Sequence, residues 1–455
     1  MDFEQREALD EIIVKIRSGR LTRRSFLERA LAVGLTSSAA VSLLEACGGT
    51  SGGSGGNGNG VTNLIWQSEN EATNTYSQLV DTFNNGTGKQ KGVHVTWRNG
   101  PSGPTSSGDL LARYQNMLRA RKANIDVMSI DIIYPAQFAS QGWTTPITDS
   151  QWPSSDRQNY LPGPLQGCTY QGKVVAAPLR TDLGLLYYRT DITKTPPKTW
   201  NDLKSMAQQD ASKAKYGYVW QGAQYEGLVC DFVEVLHGYG GSVLDTNNPT
   251  KVTVNSPEAQ QALTDMVSWV GTISPDAVTT YAEDQTLAGF VTNGDAIFMR
   301  NWPYAVSIGN TPSKSKVAGK FDFTSLPYGG SSTTGHSAIG GWNLAINAYS
   351  KNTDAAWTFI QYMLQSDAQK LIATQASLTG SLKSLYTDSQ VTSKQPLFAK
   401  LGPILQNALP RPVSAQYSEV SNAIQRRIYS ALKKQASPAD ALSGLATDLS
   451  GIVKA

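Results

Sequence analysis

The chain has 455 residues and a formal net charge of +3, with 40% hydrophobic and 16% charged residues. That length is more than one compact core supports and predicts two or more soluble globular domains. A near-neutral balance without a basic block excludes a nucleic-acid-binding role, and three cysteines with three histidines leave a dedicated zinc site almost no ligands.

In chain order, residues 1–20 form a polar leader-like stretch. Thr22-Arg23-Arg24-Ser25-Phe26-Leu27 follows and resembles the twin-arginine export consensus, with Glu28 where a Lys is more usual. An apolar run over 30–44 has the length of a signal h-region and is too short to span as a stable helix. It ends in Leu44-Glu45-Ala46-Cys47-Gly48, which resembles a lipobox, with Glu45 departing from the pattern. Residues 48–60 (GGTSGGSGGNGNG) read as a flexible tether. The ordered set predicts a twin-arginine lipoprotein signal peptide over 1–47, export through Arg23 and Arg24, and lipid on Cys47. The protein is then expected to be extracytoplasmic, lipid-anchored to the outer face of the cytoplasmic membrane.

After residue 60 no stretch is apolar enough to cross a bilayer. A strand is predicted over 61–66, and a helix over 71–83 from the spacing of Tyr76, Leu79, Val80 and Phe83. Residues 93–97 alternate as a second strand, 110–121 form a second amphipathic helix, and 125–133 read as a buried third strand. Strand and helix keep alternating, which predicts an α/β chain of doubly wound domains. No linker after residue 60 is long enough to separate two beads, so the chain is expected to cross between domains several times and leave a cleft there. An amphipathic stretch over 439–449 closes the C-terminus.

Three runs then stand out: Gly172-Lys173-Val174-Val175-Ala176-Ala177-Pro178, Leu185-Leu186-Tyr187-Tyr188-Arg189-Thr190-Asp191, and Pro196-Pro197-Lys198-Thr199-Trp200. Together they resemble the hallmark segments of family 1 extracellular solute-binding proteins, the maltose- and trehalose-type receptors of ABC sugar importers. The blocks DVMSIDIIYP (126–135), WQGAQYEGL (220–228), FMRNWPY (298–304), GGWNLAIN (340–347) and RPVSAQYSEVS (411–421) fit the trehalose-type branch more closely. The resemblance implies the periplasmic-binding-protein type II fold, two doubly wound α/β lobes joined by three hinge crossings. By analogy the crossings fall near Thr181 and Asp182, near 339–342, and near Gln395 and Pro396. Lobe 1 is then 61–181 with 341–395, and lobe 2 is 182–340 with 396–455.

A sugar offers hydroxyls that both donate and accept, plus C–H patches on its faces. Its receptor therefore needs carboxylates, amides and Arg in plane, and Trp or Tyr rings to cover the faces. Tyr and Trp total 29 against 11 Phe. The resemblance implies stacking rings at Trp302 and Tyr304, a crossing with Gly341 and Trp342, a further platform at Tyr417, and hydroxyl recognition by Arg411. Asp131, at the end of the third strand, and Glu226, beside Tyr225, are candidate ligand carboxylates. Glu71, with Glu69 as its alternative, is a weaker one. Competing structural roles are a helix cap for Asp131, core packing for the tryptophans, an ion pair for Arg300, and a first-turn helix charge for Glu71.

The expected function is delivery of a neutral sugar, a disaccharide or oligosaccharide such as trehalose or maltose, to the transmembrane permease subunits. The chain is expected to act as a monomer without catalytic residues, metal or cofactor; ATP hydrolysis belongs to a separate subunit. The alternatives are a receptor for a polyamine or glycerol phosphate, or more distantly a carbohydrate-active hydrolase. Gly335-His336-Ser337-Ala338-Ile339 starts like a nucleophile elbow but has Ile339 where the second glycine is needed. Cys168 and Cys230 could pair in an oxidising compartment or pack as buried free thiols.

Overall fold

The computed structural model describes residues 60–455 apart from 72, 102–105, 247 and 455. Arg23, Arg24, Cys47 and the tether up to residue 59 lie outside the described residues.

Strand β1 (Thr62–Gln67) turns Leu64 and Trp66 inward, where they join Tyr76, Leu79, Val80 and Phe83 of helix α1 (Thr75–Asn85) in one core. Strand β2 (Val93–Arg98) lies at a sheet edge and alternates accordingly, Val93 and Val95 inward, His94 and Thr96 outward. After α2 (Ser106–Arg119) comes β3 (Val127–Asp131), buried along its length until Asp131 emerges at the end, followed by α3 (Pro135–Ser140). A small hairpin, β4 (Thr169–Tyr170) and β5 (Lys173–Val174), leads into β6 (Ala177–Leu183).

A second group of strands follows: β7 (Leu185–Arg189), β8 (Tyr216–Val219), β9 (Ala296–Asn301) and β10 (Phe321–Thr324). Strand β11 (Ile339–Ile346) returns to the first group. The first sheet runs β2-β1-β3-β11-β6 and the second β10-β7-β9-β8. Both are mixed: β1 is parallel to β2 and β3, whereas β11 is antiparallel to both its neighbours because it enters from the opposite end.

The helices of the second half explain its motifs. Thr199 and Asp202 form a capping box at the start of α4 (Trp200–Gln209), Thr199 accepting from Asp202 N at 3.0 Å and Asp202 accepting from Thr199 N at 2.9 Å. Trp200 then enters the core against Trp269, ring centroids 5.1 Å apart, at the end of α6 (Pro257–Trp269). Helix α5 (Glu226–Gly238) is buried on nearly every side. The short α7 (Glu283–Leu287) precedes β9. Beyond β11 come α8 (Thr353–Met363), α9 (Ser389–Lys394), α10 (Leu397–Leu405), α11 (Tyr417–Leu432) and α12 (Pro438–Ile452).

The chain passes between the sheets first at Gly184, between β6 and β7, and returns through residues 325–338 into β11. Gln395 and Pro396 join α9 to α10 within one layer, since Phe398 of α10 stacks on Tyr386 with centroids 5.5 Å apart and Leu397, Leu401 and Leu405 are buried beside it. The third passage is therefore later than the expected site near 395–396 and runs through 406–416. Hydrogen bonds lash the three passages together: Ser337 Oγ donates to Gly184 O at 2.6 Å, Leu409 N to Ser337 O at 2.9 Å, and Ile339 N to Leu409 O at 3.0 Å.

Cys168 and Cys230 are both buried and unpaired. Among the described residues no helix is long and apolar enough to cross a membrane, and no group of three or more His, Cys, Asp or Glu is placed to hold a metal.

His237, near the end of α5, is partly exposed at its rim, but its Nδ1 is buried without a partner. Burial, and then the facing His336 ring, pull its pKa down from the usual 6.5 to about 4. Between pH 6.5 and 4 the unfolded chain takes up this proton and the folded chain does not, so folding stability falls as the solution is acidified. A His237→Gln variant is expected to lose up to about 3 kcal/mol less stability than the wild type between pH 7 and pH 4 in denaturant titrations.

Candidate functional site

A cavity of about 530 Å³ opens between the C-terminal ends of the first sheet's parallel strands and the N-terminal ends of α5 and α7. Nine of the ten residues expected at the ligand line it: Glu71, Asp131, Tyr225, Glu226, Trp302, Tyr304, Gly341, Trp342 and Arg411. Tyr417 does not. It is 1% exposed, packed edge-on against Tyr134, and its hydroxyl donates to Glu226 Oε1. The expected aromatic platform is thus a buried prop beneath a lining carboxylate.

Strand ends place the first set of groups. Asp131 accepts from Ser107 Oγ at 2.9 Å and from Ile133 N at 3.4 Å, and it lies 3.3 Å from Arg411 Nη2. Its bond to Ile133 N closes a turn ahead of α3 and does not cap that helix, whose N-cap is Tyr134 without a side-chain bond, so the competing capping role is not the one Asp131 takes. Glu71 caps α1, accepting from Thr73 N at 2.6 Å and Tyr76 N at 3.1 Å. Glu69 holds Tyr76 OH at 2.8 Å and Arg180 Nε at 3.0 Å through Oε1, while its Oε2 is buried without a partner.

Arg411 comes from the third passage and joins both halves. Its Nη1 donates to Glu226 Oε1 at 2.7 Å, its Nη2 to Asp131, and its Nε is buried without a partner. Burial alone would lower its pKa, but Cys230, Tyr417, Asp131 and Glu226 together hold it above the ordinary guanidinium value. Glu226 also accepts from Ser421 Oγ at 2.6 Å, so both its oxygens are engaged. Burial and then Glu226 push the Tyr417 phenol upward, which keeps it a donor.

The aromatic side is built on β9 and α5. Trp302 follows β9 with the Arg300 guanidinium 3.9 Å behind its ring centroid. Arg300 is paired deeper with Glu234, at 2.6 and 2.8 Å through two nitrogens. The competing ion-pair role is thus the one Arg300 takes, and it supports the ring from behind. Trp342, on β11, is 8% exposed and reaches the cavity beside Gly341. Gly341 has φ +124°, and a Cβ there would lie 2.3 Å from Arg180 O, so only glycine lets β11 pass β6 at this point.

Several lining groups were not singled out from the sequence. Arg180 and Asp182 alternate on β6, the only two half-buried positions in an otherwise buried strand, and pair at 2.5 Å. Their period-two spacing just before the first passage is a signal that could have found them. Glu283 and the 376–378 segment carry no such signal, because an acidic residue in a first helical turn is ordinary. In all, seven carboxylates against two guanidiniums line the cavity, a formal charge of −5.

Residues 66–370 match the model of the bacterial extracellular solute-binding protein family. The chain belongs to that family. This solute-binding protein is 38% identical over 364 residues, 77% of its length and 85% of the relative's, to a probable ABC transporter-binding protein of Deinococcus radiodurans. It is similar to the structure of maltose-bound MalE3 of T. maritima, with TM-score 0.75 and 35% identity over 85% of this chain and 99% of that one. It also shares its fold with an Agrobacterium radiobacter solute-binding protein in complex with ribitol, with TM-score 0.72 and 24% identity over 87% and 100% of the chains. Two α/β lobes around a cleft, in the type II arrangement of periplasmic binding proteins, describe the solute-binding protein as they do these structures.

Proposed function

We propose that the protein is the substrate-binding component of an ABC importer, that it takes a neutral saccharide into this cleft, and that it delivers it to the transmembrane permease subunits. The observation that carries this reading is the lining itself: carboxylates and the Arg180 and Arg411 guanidiniums stand beside the rings of Trp302, Tyr304 and Trp342 in one cavity. A hydroxyl donates and accepts, so a polyol can use such polar groups while the rings cover its C–H faces. Extracytoplasmic placement follows from the family; export through Arg23-Arg24 and lipidation at Cys47 complete the proposal. The lobes are drawn as 61–183 with 339–405, and 185–338 with 417–455, the passages lying between them.

The formal charge of −5 opposes a glycerol phosphate. It favours one second reading, a solute carrying an amine. Two features weigh against that. Glu71 and Glu226 already accept several donors each, and Arg300 occupies the cation position behind Trp302.

A thermal-shift screen of the purified protein separates these readings. Maltose, trehalose or another neutral saccharide at about one hundred times its Kd is expected to add about 2.7 kcal/mol and raise Tm by a few degrees, without consumption. A response to polyamines alone, or turnover of a saccharide, would overturn the proposal.

A further inference from the structure

The aromatic side of the cleft depends on one lining carboxylate whose two oxygens are both taken by ring donors. We infer that Glu283 is a positioning residue that fixes Trp302 and Tyr225 as a single wall, an inference resting on the proposal that this cleft receives the solute. Glu283 Oε1 accepts from Trp302 Nε1 at 3.1 Å, and Glu283 Oε2 accepts from Tyr225 OH at 2.6 Å. The two rings come from different elements, Trp302 from the end of β9 and Tyr225 from the residue before α5. Each has its one polar ring atom committed to this carboxylate.

The surroundings show a group held to do this. Asn301 Nδ2 donates to Glu283 O at 3.3 Å and to Thr286 Oγ1 at 3.1 Å, tying the end of β9 to α7. Trp302 N donates to Asn301 Oδ1 at 2.8 Å, and Trp302 O accepts from Tyr187 OH at 2.7 Å, so the backbone carrying the ring is fixed as well. Tyr225 lies across Gly227, where a Cβ would stand 2.2 Å from the phenol oxygen. Burial and then the Glu283 charge raise the Tyr225 pKa, which keeps the phenol a donor to the carboxylate. One face of Trp302 is closed by Arg300 and its edge by Glu283, leaving the other face for the cleft.

A ring held in the bound orientation before the solute arrives saves the ordering cost at binding. A carboxylate serves two donors at once through two oxygens, which an amide cannot, since its nitrogen only donates. Glu283→Ala should therefore free both rings and Glu283→Gln only one.

The test has two arms on the full chain. In the ligand-free protein, the Trp302 indole N–H resonance is assigned by its loss in Trp302→Phe. It is expected to shift and to exchange faster in Glu283→Ala, with Glu283→Gln between wild type and Ala. An indole resonance unmoved by Glu283→Ala overturns the inference whether or not any sugar binds. In the second arm, maltose titrated into each protein is expected to bind about 10- to 100-fold more weakly to Glu283→Ala, with partial rescue in Glu283→Gln. Equal affinity in the three proteins overturns the positioning role. If the wild type does not bind maltose, the titration is run with the neutral saccharide that raises its Tm; a wild type that binds no neutral saccharide overturns the saccharide proposal, and the indole arm then decides on Glu283 by itself.

Discussion

Replacing Arg300 by alanine is expected to cost about 3–5 kcal/mol of folding stability, a drop in Tm of several degrees by calorimetry. Arg300 is 1% exposed and donates through two nitrogens to Glu234, itself 1% exposed, with Asp231 at 3.7 Å. Burial pushes the Asp231 carboxyl well above the usual carboxylate range, and the Arg300 charge is the main influence pulling it back. Without Arg300 a charge on Glu234 stays buried and uncompensated, and such a charge costs far more than the pair contributes. The double variant with Glu234→Gln is expected to recover part of the loss, because it removes the orphaned charge. If the double variant is as unstable as the two changes added together, cavity formation and not charge is the cause. The effect extends beyond the core, since Glu234 Oε1 also accepts from Ala338 N at 3.0 Å on the second passage.

The same buried pair shows what was legible in the sequence. Local periodicity located β1, α1, β2, α2 and β3 within a few residues, because each buries one regular face whose spacing survives in the chain. The run Pro196–Trp200 stood out only as part of the resemblance, and the capping box it forms at the start of α4 is what the structure adds. The third passage was not legible, because α9 and α10 are separated only by Gln395 and Pro396, and a Pro between helices marks a break without saying which layer follows. In the site, residue type and block position brought together Asp131, Glu226, Trp302 and Arg411, which are 280 residues apart at the extremes. Tyr417 belonged to the same block, yet its ring turns into the core under Glu226, a matter of side-chain direction on the first turn of α11. Glu283 was invisible because its role is to hold partners 19 and 58 residues away, a relation with no local pattern.

Arg411 is where the largest loss of affinity is expected. Its guanidinium bridges Asp131 at the end of β3 and Glu226 at the start of α5, while Nη2 also reaches Ile339 O at 3.4 Å. Arg411→Ala leaves those two carboxylates facing each other across a cleft that already carries a formal −5. Their repulsion opposes closure of the lobes, and the unpartnered Nε donor is lost with the side chain. Truncating one member of a buried charged group of this kind costs about 2–5 kcal/mol, so saccharide affinity should fall by at least about 30-fold in calorimetric titration. Arg411→Lys keeps the charge but places it on a single point that cannot span both carboxylates and Ile339 O together. It should restore the electrostatic part only, with affinity between wild type and Ala. Raising the salt concentration distinguishes the two contributions: screening should narrow the gap between Lys and Ala and leave most of the gap between wild type and Lys. An Arg411→Ala protein that binds as tightly as wild type would mean that the bridge belongs to the folded lobes alone and that solute makes no demand on it.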